Sequence, residues 1–365
     1  MPIQKRDNLH HLIKSLTKNE KKFFRDFLKR DNGSKLYLLL FNKIDQQSKH
    51  QTAEIKKAFD KKANQLPVIR NYLSHLIGKV LNYYHHDNST HDVICNNLLE
   101  VKRLLLREMY DLAEVKINKC LKLSKESELL YLEMNVLEMK KELLIRKYGP
   151  ASELAKKDLT ALIDEQNDLL KRLHNLQQLQ HLQATFYDHF QESSGLSHVI
   201  YTDLDRNPLV MDEHQALSLS ARILQADLQY RLHIYKNKNF PQADLAIQKA
   251  IRQLEISPQL VREQPETYLS LLNQRLQLLI YQKNLPEIQE QLAKIRQASQ
   301  TYQFDLKQPA LRRPVMEAMA LELSICKQAG NREKATQLIG EITAQYKDLH
   351  SPAQRQWRAV MDYEI

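Results

Sequence analysis

The residues with the widest chemical reach are the 14 histidines. His174 and His181 are seven apart on a helical pattern and share a face, and His189 is eight further on, about 80° around. A helical zinc or di-metal site would add a Glu-x-x-His or His-Glu-x-x-His spacing, and none accompanies them, so they read as polar helix surface. His85, His86, His91 and Asp92 are ligand types in a polar stretch without a rigid frame. Cys95, Cys120 and Cys326 are odd in number, far apart and without a Cys-x-x-Cys pair, which speaks against zinc and disulfide frameworks. Cys120 and Cys326 fall on apolar helical faces and read as small core residues. Asp203 and Asp205 are ordinary loop carboxylates, and local sequence places no Ser-His-Asp or Cys-His set. The expectation is a protein with no catalytic residue, no metal site and no cofactor, and so not an enzyme.

Glycine narrows the choice further. The 365 residues contain six, where an average chain would carry roughly 25. No two are closer than ten residues, which excludes a G-x-G-x-x-G dinucleotide loop and a Walker A phosphate loop. Leucine, lysine, glutamine, glutamate and alanine dominate, and all are good helix formers. Hydrophobic residues make up 42% and charged residues 27%, enough to bury a core. Met1 to Lys14 has no apolar signal core, and the longest aliphatic or aromatic run, Leu36 to Phe41, is far short of a membrane span. The expected protein is soluble and cytoplasmic, with no membrane partner.

Charge is unevenly spread. The net charge is +10, from 54 basic and 44 acidic residues. Residues 1–90 hold 18 basic and 8 acidic residues, so they carry the whole excess, and the rest of the chain is balanced. Such an asymmetry points to an anionic partner for the N-terminal part, against the ordinary reading of a solvated basic face. The candidate patch is Lys21, Lys22, Arg25, Lys29 and Arg30 on one helix, joined by Lys56, Lys57, Lys61, Lys62 and Arg70.

These residues need elements to hold them. Thr17 followed by Glu20 reads as a capping box, opening a helix with Phe23, Phe24, Phe27 and Leu28 on one face. Asp31-Asn32-Gly33-Ser34 is a turn, and Lys35 to Ile44 and Thr52 to Ala63 read as two more helices. Pro67 opens a fourth, Val68 to Tyr84, with Ile69, Tyr72, Leu73, Leu76, Ile77, Val80 and Leu81 as its apolar positions. The pair Thr52–Ala63 and Val68–Tyr84 has the order of a helix-turn-helix. A polar stretch from Tyr84 to Asp92 marks a boundary.

Beyond it a triplet of small or aliphatic residues recurs at offsets 0, +4 and +7. It appears as Ala113/Ile117/Cys120, Ala155/Leu159/Leu162, Ala243/Ile247/Ala250, Ile288/Leu292/Ile295 and Ala335/Ile339/Ile342. The steps are 42, 88, 45 and 47 residues, the 88 being two steps with one degenerate member in 192–212. Asn239, Asn284 and Asn331 stand four residues ahead of three triplets, and are read as left-handed helix ends, with Pro241 and Pro286 at the next helix start and Gly330 beside Asn331 playing the same part. The long first helices read as Ser127–Tyr148, Leu169–Gln191, Glu213–Lys236, Pro265–Lys283 and Arg313–Ala329. From Ser351-Pro352 to Tyr363 the chain reads as a capping helix, with Trp357 and Val360 over the last repeat.

The stretch from Met109 to Leu123, with Ala113, Ile117 and Cys120, resembles the second helix of the tetratricopeptide repeat (TPR) superfamily, and Asn239 to Leu254 is similar. The resemblance covers about 98–347. The period is longer than the family's 34, and the first-helix Trp and Leu-Gly are absent. The chain is thus similar to divergent TPR-like α-solenoids of the kind found in uncharacterised bacterial helical proteins. The expected fold is all-α: a basic helical domain over 1–92, hairpin repeats over 93–350 and a cap over 351–365. The resemblance implies a scaffold that binds a protein or peptide partner through the solenoid surface. The alternative is a regulator that binds nucleic acid through residues 1–90, with the solenoid as sensor.

Overall fold

The capping box at Thr17 is present in both of its hydrogen bonds. In a computed structural model, which describes residues 8–30, 35–47, 54–55, 59, 64–86, 89–150, 152–191, 204–304, 306 and 311–345, the Glu20 N–H donates to Thr17 Oγ1 at 3.2 Å. The Thr17 N–H donates to Glu20 Oε2 at 2.6 Å. Every regular element among the described residues is a helix, as the composition requires. The chain divides into two compact units, Met1–Asn96 and Asn97–Ile365.

The first unit contains α1 (Asn8–Ser15), α2 (Lys18–Arg30), α3 (Lys35–Gln46), α4 (Leu66–Tyr84) and the start of α5 (Thr90–Leu105). Pro67 sits in the first turn of α4, where its missing N–H costs nothing. Phe24, Phe41, Leu73 and Ile77 lie in one buried cluster, and the Phe24 and Phe41 rings are 4.6 Å apart. Most of the helix expected at Thr52–Ala63 lies outside the described residues, as do the turn at 31–34 and the degenerate repeat over 192–203. Two readings are corrected here. Tyr72, read as a core position of α4, is half exposed. His91 and Asp92, read as linker, lie in the first turn of α5, where Ser89 Oγ accepts from the Asp92 N–H at 3.1 Å and caps the helix.

The second unit runs through α6 (Tyr110–Glu126), α7 (Leu130–Tyr148), α8 (Glu153–Gln191), a short α9 (Pro208–Met211) and α10 (Leu219–Tyr235). It continues through α11 (Phe240–Glu255), a short α12 (Pro258–Glu263), α13 (Pro265–Gln282), α14 (Leu285–Tyr302), α15 (Arg312–Gln328) and α16 (Arg332–Gln345). Short turns join α6 to α7, α10 to α11, α13 to α14 and α15 to α16, so each pair is an antiparallel hairpin. Stacking runs from α11 to α13 and from α13 to α15. Thirteen of the fifteen triplet residues are buried, Leu159 and Ile339 being half-buried, so the repeat seen in the sequence is the core of this unit. Ala113 and Ala243 are fully buried, and a small residue there lets neighbouring helix axes approach.

Several readings differ from expectation, among them the long helix expected from Ser127, which begins at Leu130 because Ser127 ends the helix before it. The triplet helix beginning near Ala155 and the long helix beginning near Leu169 are one 39-residue helix, α8. The intervening Ile163-Asp164-Glu165-Gln166-Asn167-Asp168 contains neither Gly nor Pro, and nothing local stops the ladder. The helix expected from Glu213 begins at Leu219, because Ser218 Oγ accepts from the Ala221 N–H at 3.1 Å and caps it there. The asparagines are N-caps rather than left-handed residues. Asn239 Oδ1 accepts from the Gln242 N–H at 3.2 Å and Asn331 Oδ1 from the Lys334 N–H at 3.1 Å. The left-handed residue is the one before each: Lys238 (φ 50°), Lys283 (φ 58°) and Gly330 (φ 69°). The turn assigns one residue to reverse the chain and the next to the N-cap position, where Asn284, unlike Asn239 and Asn331, makes no side-chain cap bond. The expected terminal helix at 351–365 lies outside the described residues.

Candidate functional site

Of the ten basic residues singled out in the sequence, Lys56, Lys57, Lys61 and Lys62 lie outside the described residues, and the other six lie on α2 and α4. The row on α2 divides in two. Lys21 Nζ lies 2.8 Å from Asp45 Oδ1 and Arg25 Nη2 2.5 Å from Asp45 Oδ2. Arg25 Nε also donates to Asn42 Oδ1 at 2.9 Å, and its guanidinium lies over the Phe41 ring at 5.3 Å. These two cations therefore fasten α2 to α3. Burial opposes ionisation of Asp45, but the hydrogen bonds and charges of Lys21 and Arg25 prevail and hold its carboxyl below its ordinary value. Lys22, Lys29 and Arg30 stay exposed, Lys29 3.5 Å from Asp26 of its own helix. Arg70 is half-buried on α4 and engaged in a contact. Of the histidines, His85 Nε2 lies 2.7 Å from Glu20 Oε1, His174 and His181 are exposed on α8, and no group of three or more metal-ligating side chains comes together among the described residues.

The second unit holds a cavity of about 880 Å³ between α13, α14, α15 and α16. Its floor is aliphatic, with Leu269 from α13, Leu292 and Ile295 from α14, Val315 and Ala318 from α15, and Leu338 from α16. Pro314 and Met319 of α15 also line it. Polar groups occupy one wall. The buried Glu322 carboxylate pairs with Arg296 and accepts from Lys334 Nζ at 3.0 Å. Gln337 and Glu341 stand beside them on α16. Both signs of charge are present on that wall.

The repeat triplet had already placed Leu292 and Ile295 in the core. It did not show the groove, which forms only where α13, α14, α15 and α16 come together. A weaker signal was present: Val315-Met316-Glu317-Ala318-Met319 combines a small residue with methionines, which adapt to varied partner surfaces. Among the described residues no helix is long and apolar enough to cross a membrane. Compared with known proteins, the chain matches no family model, no curated protein and no solved structure.

Proposed function

We propose that the chain is a non-enzymatic, TPR-like helical scaffold of the cytoplasm that binds a protein or peptide partner in the groove between α13 and α16. The observation that carries this reading is the groove itself: about 880 Å³, floored by aliphatic side chains from four successive helices. That volume suits a few bulky side chains of an amphipathic partner helix, presented at i, i+3, i+4 and i+7. Glu322, held by Arg296 and Lys334, gives the apolar floor a fixed polar edge against which such a helix is oriented.

A displayed random-peptide library tests it. The full chain should enrich peptides with apolar residues at helical spacing. Met319→Glu, which puts a carboxylate on the half-buried groove wall, should abolish that enrichment without changing the helical dichroism. Enrichment of the same peptides by both proteins, or of none by the parent, removes the reading.

A further inference from the structure

We infer that the exposed face of α4 is a stacking platform for single-stranded nucleic acid. The inference concerns the first unit and does not rest on the groove of the second. Helix α4 spans 19 residues without one Asp or Glu. Tyr72, Lys79 and Tyr83 fall on one face, since eleven residues are three turns plus about 20°, and the two tyrosines are about 16 Å apart along the axis. Tyr72 is 52% exposed and Tyr83 68%, far more than core aromatics show.

Each of these tyrosines is braced by a ring from another helix. Tyr37 of α3 stacks on Tyr72 at 4.7 Å between centroids and 29° between planes. Phe23 of α2 lies against Tyr83 at 6.4 Å and 21°. A braced ring loses little freedom when a base stacks on its outer face, so the contact is pre-organised. Lys79 lies between the tyrosines along the helix, exposed and without an ion-pair partner among the described residues. At the Tyr83 end, Phe23, Phe27 and Arg30 of α2 line a further groove of about 520 Å³. Its one carboxylate, Asp26, lies 3.5 Å from Lys29 Nζ.

Charge selects the occupant. Residues 1–90 hold the whole excess of ten positive charges, which suits a polyanion. Exposed aromatic faces suit bases whose own faces are open, as in a single strand; a duplex hides them in its stack. Lys21 and Arg25, the most prominent cations in the sequence, are tied to Asp45, so the contact surface moves from α2 to α4 and the Arg30 end of α2.

The test is fluorescence anisotropy of a labelled oligothymidylate of about 12 nucleotides, within the span of single-strand site sizes, titrated with the full chain at two salt concentrations. Tyr72→Ala and Tyr83→Ala should each weaken binding by roughly five- to a hundredfold. Tyr83→Phe, which keeps the ring, should bind within about twofold of the parent. Lys79→Gln should reduce the salt slope by about 0.7. Dichroism of each variant separates loss of the ring from loss of the fold. Absence of binding at low salt, or equal affinity for the matching duplex, overturns the proposal. So does binding indifferent to both tyrosines, or equal displacement by polyglutamate, which would indicate an acidic protein partner.

Discussion

Lys21 Nζ and Asp45 Oδ1 lie 2.8 Å apart across the contact of α2 with α3, and Arg25 shares the same carboxylate. Two cations that the sequence offers as a partner-binding row are thereby internal fasteners. Asp45→Asn should cost about 1–2 kcal/mol at neutral pH, between an exposed pair and a fully buried one. Its carboxyl is held below the ordinary value of 3.8, so its contribution is present above that pH and is lost as pH falls through the depressed value. Urea unfolding of parent and variant from neutral to acid pH checks this. A constant difference down to the lowest pH would show that the ion pair is not the cause.

Lys238 and Lys283 occupy left-handed positions that Gly330 fills in the equivalent turn before α16. A side chain there strains the backbone and glycine does not. Lys238→Gly and Lys283→Gly should each stabilise the chain by about 0.5–1 kcal/mol, and Gly330→Ala should destabilise it by about 1–2 kcal/mol. A Cβ at Gly330 meets nothing within 4 Å, so any loss there comes from the backbone alone. Thermal unfolding of the three variants decides it; a glycine variant that melts earlier would show that the lysine stem packs favourably.

Glu133 on α7 is buried, and its Oε2 has no hydrogen-bond partner, with Arg172 Nη1 3.9 Å away. Burial pushes its carboxyl above the ordinary value of 4.5; Arg172 and Lys125 only partly offset this, while Glu165 and Glu128 add to it. The ionised form is thus carried at a cost in the folded chain. Glu133→Gln should raise the melting temperature at neutral pH, with the advantage shrinking as pH falls towards 4.5 and the parent protonates. A lower melting temperature at neutral pH would mean that Arg172 depends on the charge.

The legible part of this protein is the part written at short range. The capping box of Thr17 and Glu20, the triplets from Ala113 to Ile342 and the proline that opens α4 are all patterns within a few residues. Where a local signal was absent, as between Leu162 and Leu169, the reading inserted a break that α8 does not have. At Asn239 and Asn331 the local signal is ambiguous, because asparagine suits both a left-handed helix end and the cap that it forms here. The groove was illegible because it forms where α13, α14, α15 and α16 meet, and no local pattern records that meeting.

By itself the sequence determined that the chain is helical, which faces are buried in the hairpins and where its excess charge lies, because helix periodicity, capping and composition act within one or two turns. Tertiary structure alone decided the partners of the polar side chains that reach another helix. The Glu128 carboxylate accepts from the N–H groups of Leu219 and Ser220, 91 and 92 residues on, and so caps α10 from a different helix turn. Asp45 claims Lys21 and Arg25 in the same way, while Tyr72, Lys79 and Tyr83 lie exposed on one face of α4. Such pairings depend on which helices meet, and a one-dimensional pattern of residue types does not carry that distance.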